Sequence, residues 1–393
     1  MSRGGMRRTF SGLTLADQVA NAMSKLDMVG EEQPNALEEA SKTIAEECNA
    51  AWRDSEEQPR PHELRKDRIV GEGGYSCVYK VTDVRTKRVF ALKQLRKGFV
   101  AALNLAERVL LEKVAHDELR HPFICRLFTT FQDADCLYFV LELAEGGDLF
   151  DIIERQGGSL PEPWARHYLG AVSLGIQHMH CQGFVYRDLK PENVLIDAKG
   201  YARIADLGYA KRIYQTRTYS TLGTDTYTPP ELVRGHGRTK AADWWGCGVL
   251  LHEMVVGEPP FTGADSREVL KSVQRYAEGK AETHGALHQK LRGDGRTSRP
   301  AADLIAGLLH WEETARIGTE SFRAVQEHEW FAGFDWVALL RRELPPPYAP
   351  PRDHQLPDVS ERVDPSVTLD RPFDRERWQP IFDQFGPLGH THN

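Results

Sequence analysis

The chain has 393 residues, of which 40% are hydrophobic and 27% are charged. These proportions are typical of globular proteins and exclude a mostly disordered, collagen-like or coiled-coil chain. The formal net charge of −7 gives no support for a nucleic-acid partner. No apolar run approaches the roughly 18 residues that a membrane helix needs, so we expect no membrane span.

The six cysteines are scattered along the chain and form no C-x-x-C pair. This spacing predicts neither a zinc site nor a disulfide framework. Unpaired cysteines are typical of a reducing compartment, so we expect an intracellular protein and, more narrowly, a cytoplasmic one.

The first 64 residues are polar, with stretches rich in alanine and glutamate, and we read them as an N-terminal extension. Within this extension, residues 35–54 carry apolar side chains near one face, which predicts an amphipathic helix. Residues 65–141 favour strands and form a predicted β-rich lobe. One helical segment, at about 101–115, interrupts these strands.

Long helical patterns dominate residues 146–334 and predict a large helical lobe, with short strands around 194–205. The composition of the chain changes again in a C-terminal tail, residues 335–393. Its proline-rich stretch LPPPYAPP suits neither a helix nor a central strand, so we expect residues 345–393 to be extended. A cleft between two such lobes is a common place for a ligand.

A glycine-rich turn, GEGGYSCV, lies between two strand-like runs. Glycines in such a turn let backbone amides approach phosphates closely, although an ordinary β-turn is the alternative. We therefore predict a phosphate-binding loop. Its candidate nucleotide-binding residues are Gly71, Glu72, Gly73, Gly74, Tyr75, Ser76 and Val78.

Lys93 ends the next strand-like run, and a lysine inside an apolar strand is costly unless it is paired. It could neutralise ATP phosphates while a carboxylate from a helix holds it. Glu107 and Glu112 are the two candidates, and they lie about 140° apart around a helix, so they cannot face the same way. We favour Glu107, because apolar residues follow it at the right offsets, and Glu112 is the alternative.

The string YRDLKPEN places an acid, two bases and an amide within one short loop that contains a proline. Asp188 can accept the proton of an attacking hydroxyl, and Lys190 can neutralise a moving phosphoryl group. Asn193 can bind a metal ion through its amide oxygen. Asp206, in the string DLG, adds a carboxylate, which is a ligand type that Mg²⁺ prefers.

With these strings in hand, the chain resembles the eukaryotic protein kinases, and more finely the AGC group of serine/threonine kinases near the cyclic-nucleotide-dependent kinases. Further supporting strings are RHPFICRLFTTF, LELAEGGDLF and ADWWGCGVLLHEM. The resemblance runs from about Arg65 to Phe334. It implies an α+β, bilobal kinase fold with a small β-rich lobe, a large mainly helical lobe and an extended C-terminal tail.

The resemblance also implies an enzyme that uses ATP and Mg²⁺, with two metal ions on Asn193 and Asp206. Lys93 would contact the α/β-phosphates, with Glu107 as its partner. Asp188 would be the catalytic base, and Thr224 would bridge it to Lys190. The remaining nucleotide-binding residues implied by the family pattern are Ala91, Leu141, Glu142, Leu143, Glu192 and Leu195.

Regulation and substrate choice are implied in the same way. Ser220 stands where the group carries its activating phosphate, with an ordinary exposed serine as the alternative. Asp148, Glu192 and Glu253 match positions that face a peptide upstream of its target hydroxyl, where acids would attract arginine or lysine. The expected partners are protein substrates, together with a separate regulatory subunit or an upstream activating kinase.

Two further pairings follow from the resemblance. Phe382 and Phe385 match an F-x-x-F end that docks on the small lobe, with two aromatics in a disordered tail as the alternative. Glu231 would pair with Arg316 in the large lobe.

Three residues depart from the family pattern: Ser76 replaces a glycine, Leu207 a phenylalanine and Pro229 an alanine. They favour a rival hypothesis, a nucleotide-binding scaffold with a kinase fold and little activity. The joint presence of the lysine, the aspartates and the asparagine described above argues against that rival. The acids expected to face a peptide argue against a third hypothesis, a kinase for a small metabolite.

Overall fold

The structure is a computed structural model, and it describes residues 36–53, 58–73, 75–213, 217–218, 224–351, 354, 356–362 and 371–386. For residues 45 and 49–53 it describes the backbone only. Gly74 and Ser220, both named above as candidate site residues, lie outside the described residues. The described part of the tail is divided among residues 335–351, 354, 356–362 and 371–386.

A helix precedes a five-stranded antiparallel sheet that carries two helices. Their bounds are α1 (Ala36–Arg53), β1 (Leu64–Gly73), β2 (Ser76–Asp83), β3 (Val89–Arg96), α2 (Lys97–Ala102), α3 (Ala106–Glu118), β4 (Leu127–Gln132) and β5 (Cys136–Leu141). The strands lie in the order β1-β2-β3-β5-β4. The single helix predicted at about 101–115 is instead two helices, because Asn104 between them has a left-handed φ of 53°.

The second lobe is mainly helical. Its elements, with the tail helix, are α4 (Leu149–Arg155), α5 (Glu162–Cys181), β6 (Phe184–Val185), β7 (Val194–Ile196), β8 (Ala202–Ile204), β9 (Lys211–Arg212), α6 (Pro230–Val233), α7 (Ala241–Val256), α8 (Ser266–Gly293), α9 (Arg299–Leu308), α10 (Arg323–Gln326), α11 (Trp336–Leu340) and α12 (Arg375–Phe382). The short strands predicted around 194–205 are β7 and β8. The predicted α+β bilobal fold is therefore confirmed.

Two long-range contacts stabilise the large lobe. The amphipathic helix expected at 35–54 is α1, whose Leu37 and Ile44 join the core of that lobe. The predicted pair between Arg316 and Glu231 is also confirmed, since two 2.9 Å hydrogen bonds join the buried guanidinium to the carboxylate. A bidentate pair of this kind fixes geometry, because losing either partner would leave a buried charge.

The prediction of an extended tail is wrong for residues 375–382, which form helix α12. The Asp374 carboxylate caps this helix by accepting a hydrogen bond from the Arg377 amide at 3.2 Å. Phe382 and Phe385 are almost fully buried in the core of the small lobe. The predicted docking of the F-x-x-F end is therefore confirmed. Burial of these aromatic side chains stabilises helix α12, although the prolines of the tail had predicted extended chain.

The six cysteines are all free thiols. Among the helices of the described residues, none is both long and apolar enough to cross a bilayer.

Candidate active site

Lys93 lies in the middle of the small sheet, where β3 pairs with β2 on one side and β5 on the other. Its ammonium is 2.6 Å from Glu112 Oε1 and 3.1 Å from Asp206 Oδ1. Burial opposes the charged form, but Asp206 and Glu112 together raise the pKa of Lys93. The strand therefore presents a permanently charged ammonium at the cleft between the lobes.

The preference for Glu107 as the partner of Lys93 is wrong, and the alternative, Glu112, makes the contact. Glu107 lies in the first turn of α3 and is exposed, whereas Glu112 is buried. An acid in a first helical turn complements the positive end of the helix dipole, so Glu107 has a local reason to be there. The helix begins only at Ala106, and its next turns direct Glu112 toward the sheet.

The catalytic-loop candidates meet around Asp188. The Asn193 amide donates to Asp188 Oδ2 and to the Asp188 carbonyl, both at 2.7 Å. Lys190 Nζ is 3.5 Å from the same carboxylate. Burial raises the pKa of Asp188, although Lys190 and Asn193 act against this. A carboxylate of raised basicity beside a lysine suits proton acceptance from a hydroxyl.

Asp243, on helix α7, anchors this loop, and sequence reasoning missed it. Its carboxylate accepts hydrogen bonds from the Tyr186 amide at 2.9 Å and the Arg187 amide at 2.8 Å. The His180 ring is 2.8 Å from the same group. The available signal was an aspartate beside two tryptophans in a largely apolar helix, because such a buried acid needs partners.

Asp206 adopts a left-handed backbone conformation, with φ 48° and ψ 76°. Its Oδ1 accepts the Gly208 amide at 3.3 Å as well as the Lys93 ammonium. Burial opposes ionisation, but Lys93 holds the pKa of Asp206 below its usual value. This carboxylate is therefore ionised and faces the cleft.

Asn193 and Asp206 fit a divalent cation. Because the Asn193 amide nitrogen is directed to Asp188, its amide oxygen is left for a ligand. Within the described residues, Asp206 Oδ2 has no hydrogen-bond partner, since Oδ1 makes the contacts with Lys93 and Gly208. Carboxylate and amide oxygens are hard ligands of the kind that Mg²⁺ prefers.

Apolar side chains form the walls of the cleft. Ala91 pairs with Leu141 across β3 and β5, and Val78 and Leu195 are half-buried. In the described part of the chain, Leu143 uses neither its amide nor its carbonyl in a backbone hydrogen bond. Apolar walls with a free backbone edge suit a flat purine ring.

Glu142 and Glu192 offer less to a nucleotide than the family pattern implies. The Glu142 carboxylate is 2.9 Å from Arg203, so its side chain is committed to an ion pair. Only its backbone is then suited to contact a nucleotide. Glu192 is exposed beside Asn193 in a short 3-10 helix. Their nucleotide-binding roles stay predictions.

The glycine loop forms a hairpin turn, as its pattern indicates. Gly71 pairs with Val78 and Gly73 pairs with Ser76 across β1 and β2, and Glu72 lies between them opposite Cys77. A Cβ atom on Gly73 would lie 2.7 Å from the Ser76 hydroxyl oxygen, so any side chain here would force the Ser76 side chain to move.

The three predicted substrate acids come from separate elements. Asp148 caps helix α4 by accepting the Asp151 amide at 2.8 Å. Burial, with the charges of Asp151 and Glu192, raises the pKa of Asp148 to about 6. Glu253 accepts the Tyr227 hydroxyl at 2.6 Å, and burial together with Glu192 raises its pKa. Glu192 thus acts electrostatically on both other acids.

Thr224 begins the short 3-10 helix Asp225–Tyr227 and is half-buried. Among the described residues, its hydroxyl makes no hydrogen bond to Asp188 or Lys190, and the expected bridge is not formed. Its role stays a prediction.

Residues 64–331 match the family model described as protein kinase domain. The chain is 36% identical over 307 residues to Protein kinase 2 of Dictyostelium discoideum, covering 78% of this chain and 61% of the relative. It is 34% identical over 295 residues to a cAMP-dependent protein kinase catalytic subunit of Arthrobotrys oligospora, covering 75% and 54%. It is 35% identical over 322 residues to a cGMP-dependent protein kinase of Toxoplasma gondii, covering 80% and 31%. The chain thus spans less than two thirds of the length of each relative.

Proposed function

Since the chain belongs to the protein kinase family, as an AGC-like serine/threonine kinase, we propose that it transfers the γ-phosphoryl group of ATP to serine or threonine hydroxyls of proteins. The main support for this proposal is that the Lys93 ammonium donates hydrogen bonds to both Glu112 and Asp206. A lysine fixed in this way can neutralise nucleotide phosphates without moving.

In the transfer, the substrate hydroxyl oxygen forms a bond to the γ-phosphorus. The bond from that phosphorus to the oxygen bridging the β- and γ-phosphates breaks, and ADP leaves with the bonding electrons. Asp188 accepts the hydroxyl proton, and Lys190 offsets the charge of the moving phosphoryl group. Mg²⁺, held by Asn193 and Asp206, would supply positive charge on the phosphate oxygens.

Substrate preference is proposed from the acids at the cleft. Asp148 and Glu253 are partly buried carboxylates, and the charge of Glu192 raises the pKa of both, which supports a single acidic surface. Such a surface favours arginine over uncharged side chains, because guanidinium–carboxylate hydrogen bonds are strong. We therefore propose peptides with arginine upstream of the target hydroxyl.

A transfer assay with labelled ATP and Mg²⁺ tests both parts of the proposal. A serine peptide with arginine at the second and third upstream positions should show a kcat/KM at least about tenfold above the same peptide with alanine there. Equal values for the two peptides would contradict the basic preference. Nucleotide binding without any transfer would favour the scaffold hypothesis that Ser76, Leu207 and Pro229 suggest.

The preference for arginine should weaken in mild acid, because the Asp148 pKa of about 6 lies well above the ordinary value. Asp148 is mostly ionised at pH 7.5 and mostly protonated at pH 5.5, so the KM of the arginine peptide should rise several-fold over this interval. The alanine peptide serves as the control for other pH effects. An Asp148→Asn variant should show a clearly smaller rise in the KM of the arginine peptide, and an undiminished rise would contradict the assignment.

Regulation through Ser220 remains part of the proposal. The Arg187 guanidinium donates to the Tyr209 carbonyl at 2.7 Å and to the Thr218 hydroxyl at 3.1 Å, which supports a basic site close to this segment. A phosphate there would add strong acceptors for arginine. A regulatory subunit, an upstream kinase and an intracellular location also stay predictions.

A further inference from the structure

The Arg108 side chain joins helix α3 to two other parts of the active site. Its guanidinium carbon lies 3.6 Å from the centre of the Tyr209 ring and 5.1 Å from the centre of the Tyr75 ring. Its Nε donates to the Gly208 carbonyl at 2.7 Å. Arg108 therefore links the glycine loop, α3 and the segment that follows Asp206. We call these three side chains the Tyr75–Arg108–Tyr209 stack.

The Tyr75 hydroxyl reaches the phosphate end of the cleft. A Cβ atom built on Gly208 would lie 3.1 Å from this hydroxyl oxygen, 3.1 Å from Asp206 Oδ1 and 3.2 Å from Glu112 Oε2. The three oxygens therefore surround one point beside the Lys93 ammonium. Burial raises the pKa of Tyr75 to about 12, so the hydroxyl is neutral at physiological pH.

We propose that Tyr75, held by Arg108, is a plug that nucleotide must displace in order to bind. This inference rests on the proposed function, because it assumes that phosphates approach Lys93 and that a cation approaches Asp206. The hydroxyl of Tyr75 lies beside Asp206 and Glu112, the two acids that hold Lys93, and a phosphate or cation cannot share its volume. Phosphates can approach Lys93 and Asp206 only after the glycine loop lifts the tyrosine away.

The contacts of Tyr75 within this stack contribute to the free energy that is needed to displace the ring. A guanidinium over an aromatic face is attractive, and more so where water is excluded. When the loop lifts, Arg108 keeps its bond to Gly208 and its contact with Tyr209, whereas Tyr75 loses its contact with Arg108 and its packing against the core of the small lobe. Nucleotide affinity is therefore reduced by the free energy of displacing Tyr75, to which the Tyr75–Arg108 contact contributes, because the competent state must first be populated.

Removing the plug tests this directly. Tyr75→Ala should lower the Kd of the full-length chain for Mg-ADP about fivefold, measured by displacement of a fluorescent nucleotide. Tyr79→Ala is the matched control, because the Tyr79 ring also lies under a cation, with Lys66 Nζ 4.1 Å from its centre, but within strand β2 and not in the turn that carries Tyr75. That control should leave the Kd within twofold. Thermal unfolding of each variant confirms that it is folded.

A double variant tests the part played by Arg108. Arg108→Met should also tighten Mg-ADP binding, and Tyr75→Ala with Arg108→Met should bind no more tightly than Tyr75→Ala alone. An unchanged or higher Kd in Tyr75→Ala would overturn the proposal, because the ring would then be neutral or would support the bound nucleotide. The readout is binding, so a failure of peptide phosphorylation would count against the proposed function and leave this result intact.

Discussion

Asp206→Asn should lower kcat for peptide phosphorylation about a thousandfold or more. The change removes a negative charge that holds Lys93 and that faces the proposed cation. The fold should survive, because the Lys93 ammonium keeps its 2.6 Å contact with Glu112. The measurement is transfer of labelled γ-phosphate to the arginine peptide at saturating ATP and Mg²⁺.

Asp67→Asn is the matched control for this variant. Asp67 lies on the exposed face of β1, where it accepts the Thr82 hydroxyl at 2.6 Å, so the same change of charge is made far from the cleft. Its kcat should stay within twofold of the original. Unaltered turnover in Asp206→Asn, with the midpoint of thermal unfolding preserved in both variants, would exclude the proposed metal ligand.

Sequence reasoning worked best where the chemistry is local. The Asp188, Lys190 and Asn193 side chains come from one short loop, so their order in the chain already brings them within a few ångströms. The hairpin turn with its glycines could be predicted for the same reason, because the turn and its flanking strands are adjacent in sequence. These features needed no knowledge of how distant elements meet.

Long-range packing decided the features that the sequence did not reveal. The anchoring of the catalytic loop by Asp243 joins residues more than fifty positions apart. Helix α12 forms in a tail whose prolines predict extended chain, and its Trp378 and Phe382 are buried against the small lobe. In both cases the stabilising partner is far away in the chain, so local patterns carry little information about it.

The choice between the two glutamates failed for a similar reason. Apolar neighbours of Glu107 favoured it, but Leu111 and Val114, four and seven residues further along α3, are exposed and share a helix face with Glu107. Apolar residues at helical spacing therefore do not by themselves identify the face that packs on the sheet, because such a face can also be exposed. Only the packing of α3 on the sheet identifies Glu112.

Glu112→Gln should lower kcat/KM for ATP about a hundredfold, because Lys93 would lose the charge of a partner 2.6 Å away. Glu107→Gln is the matched control on the same helix and should stay within twofold, since Glu107 is exposed in the first turn. Steady-state kinetics with the arginine peptide at varied ATP would compare the two variants. If Glu107→Gln were the damaging change, α3 would have to turn by about 140° in the working enzyme, and the contacts of Lys93 described here would belong to a resting state.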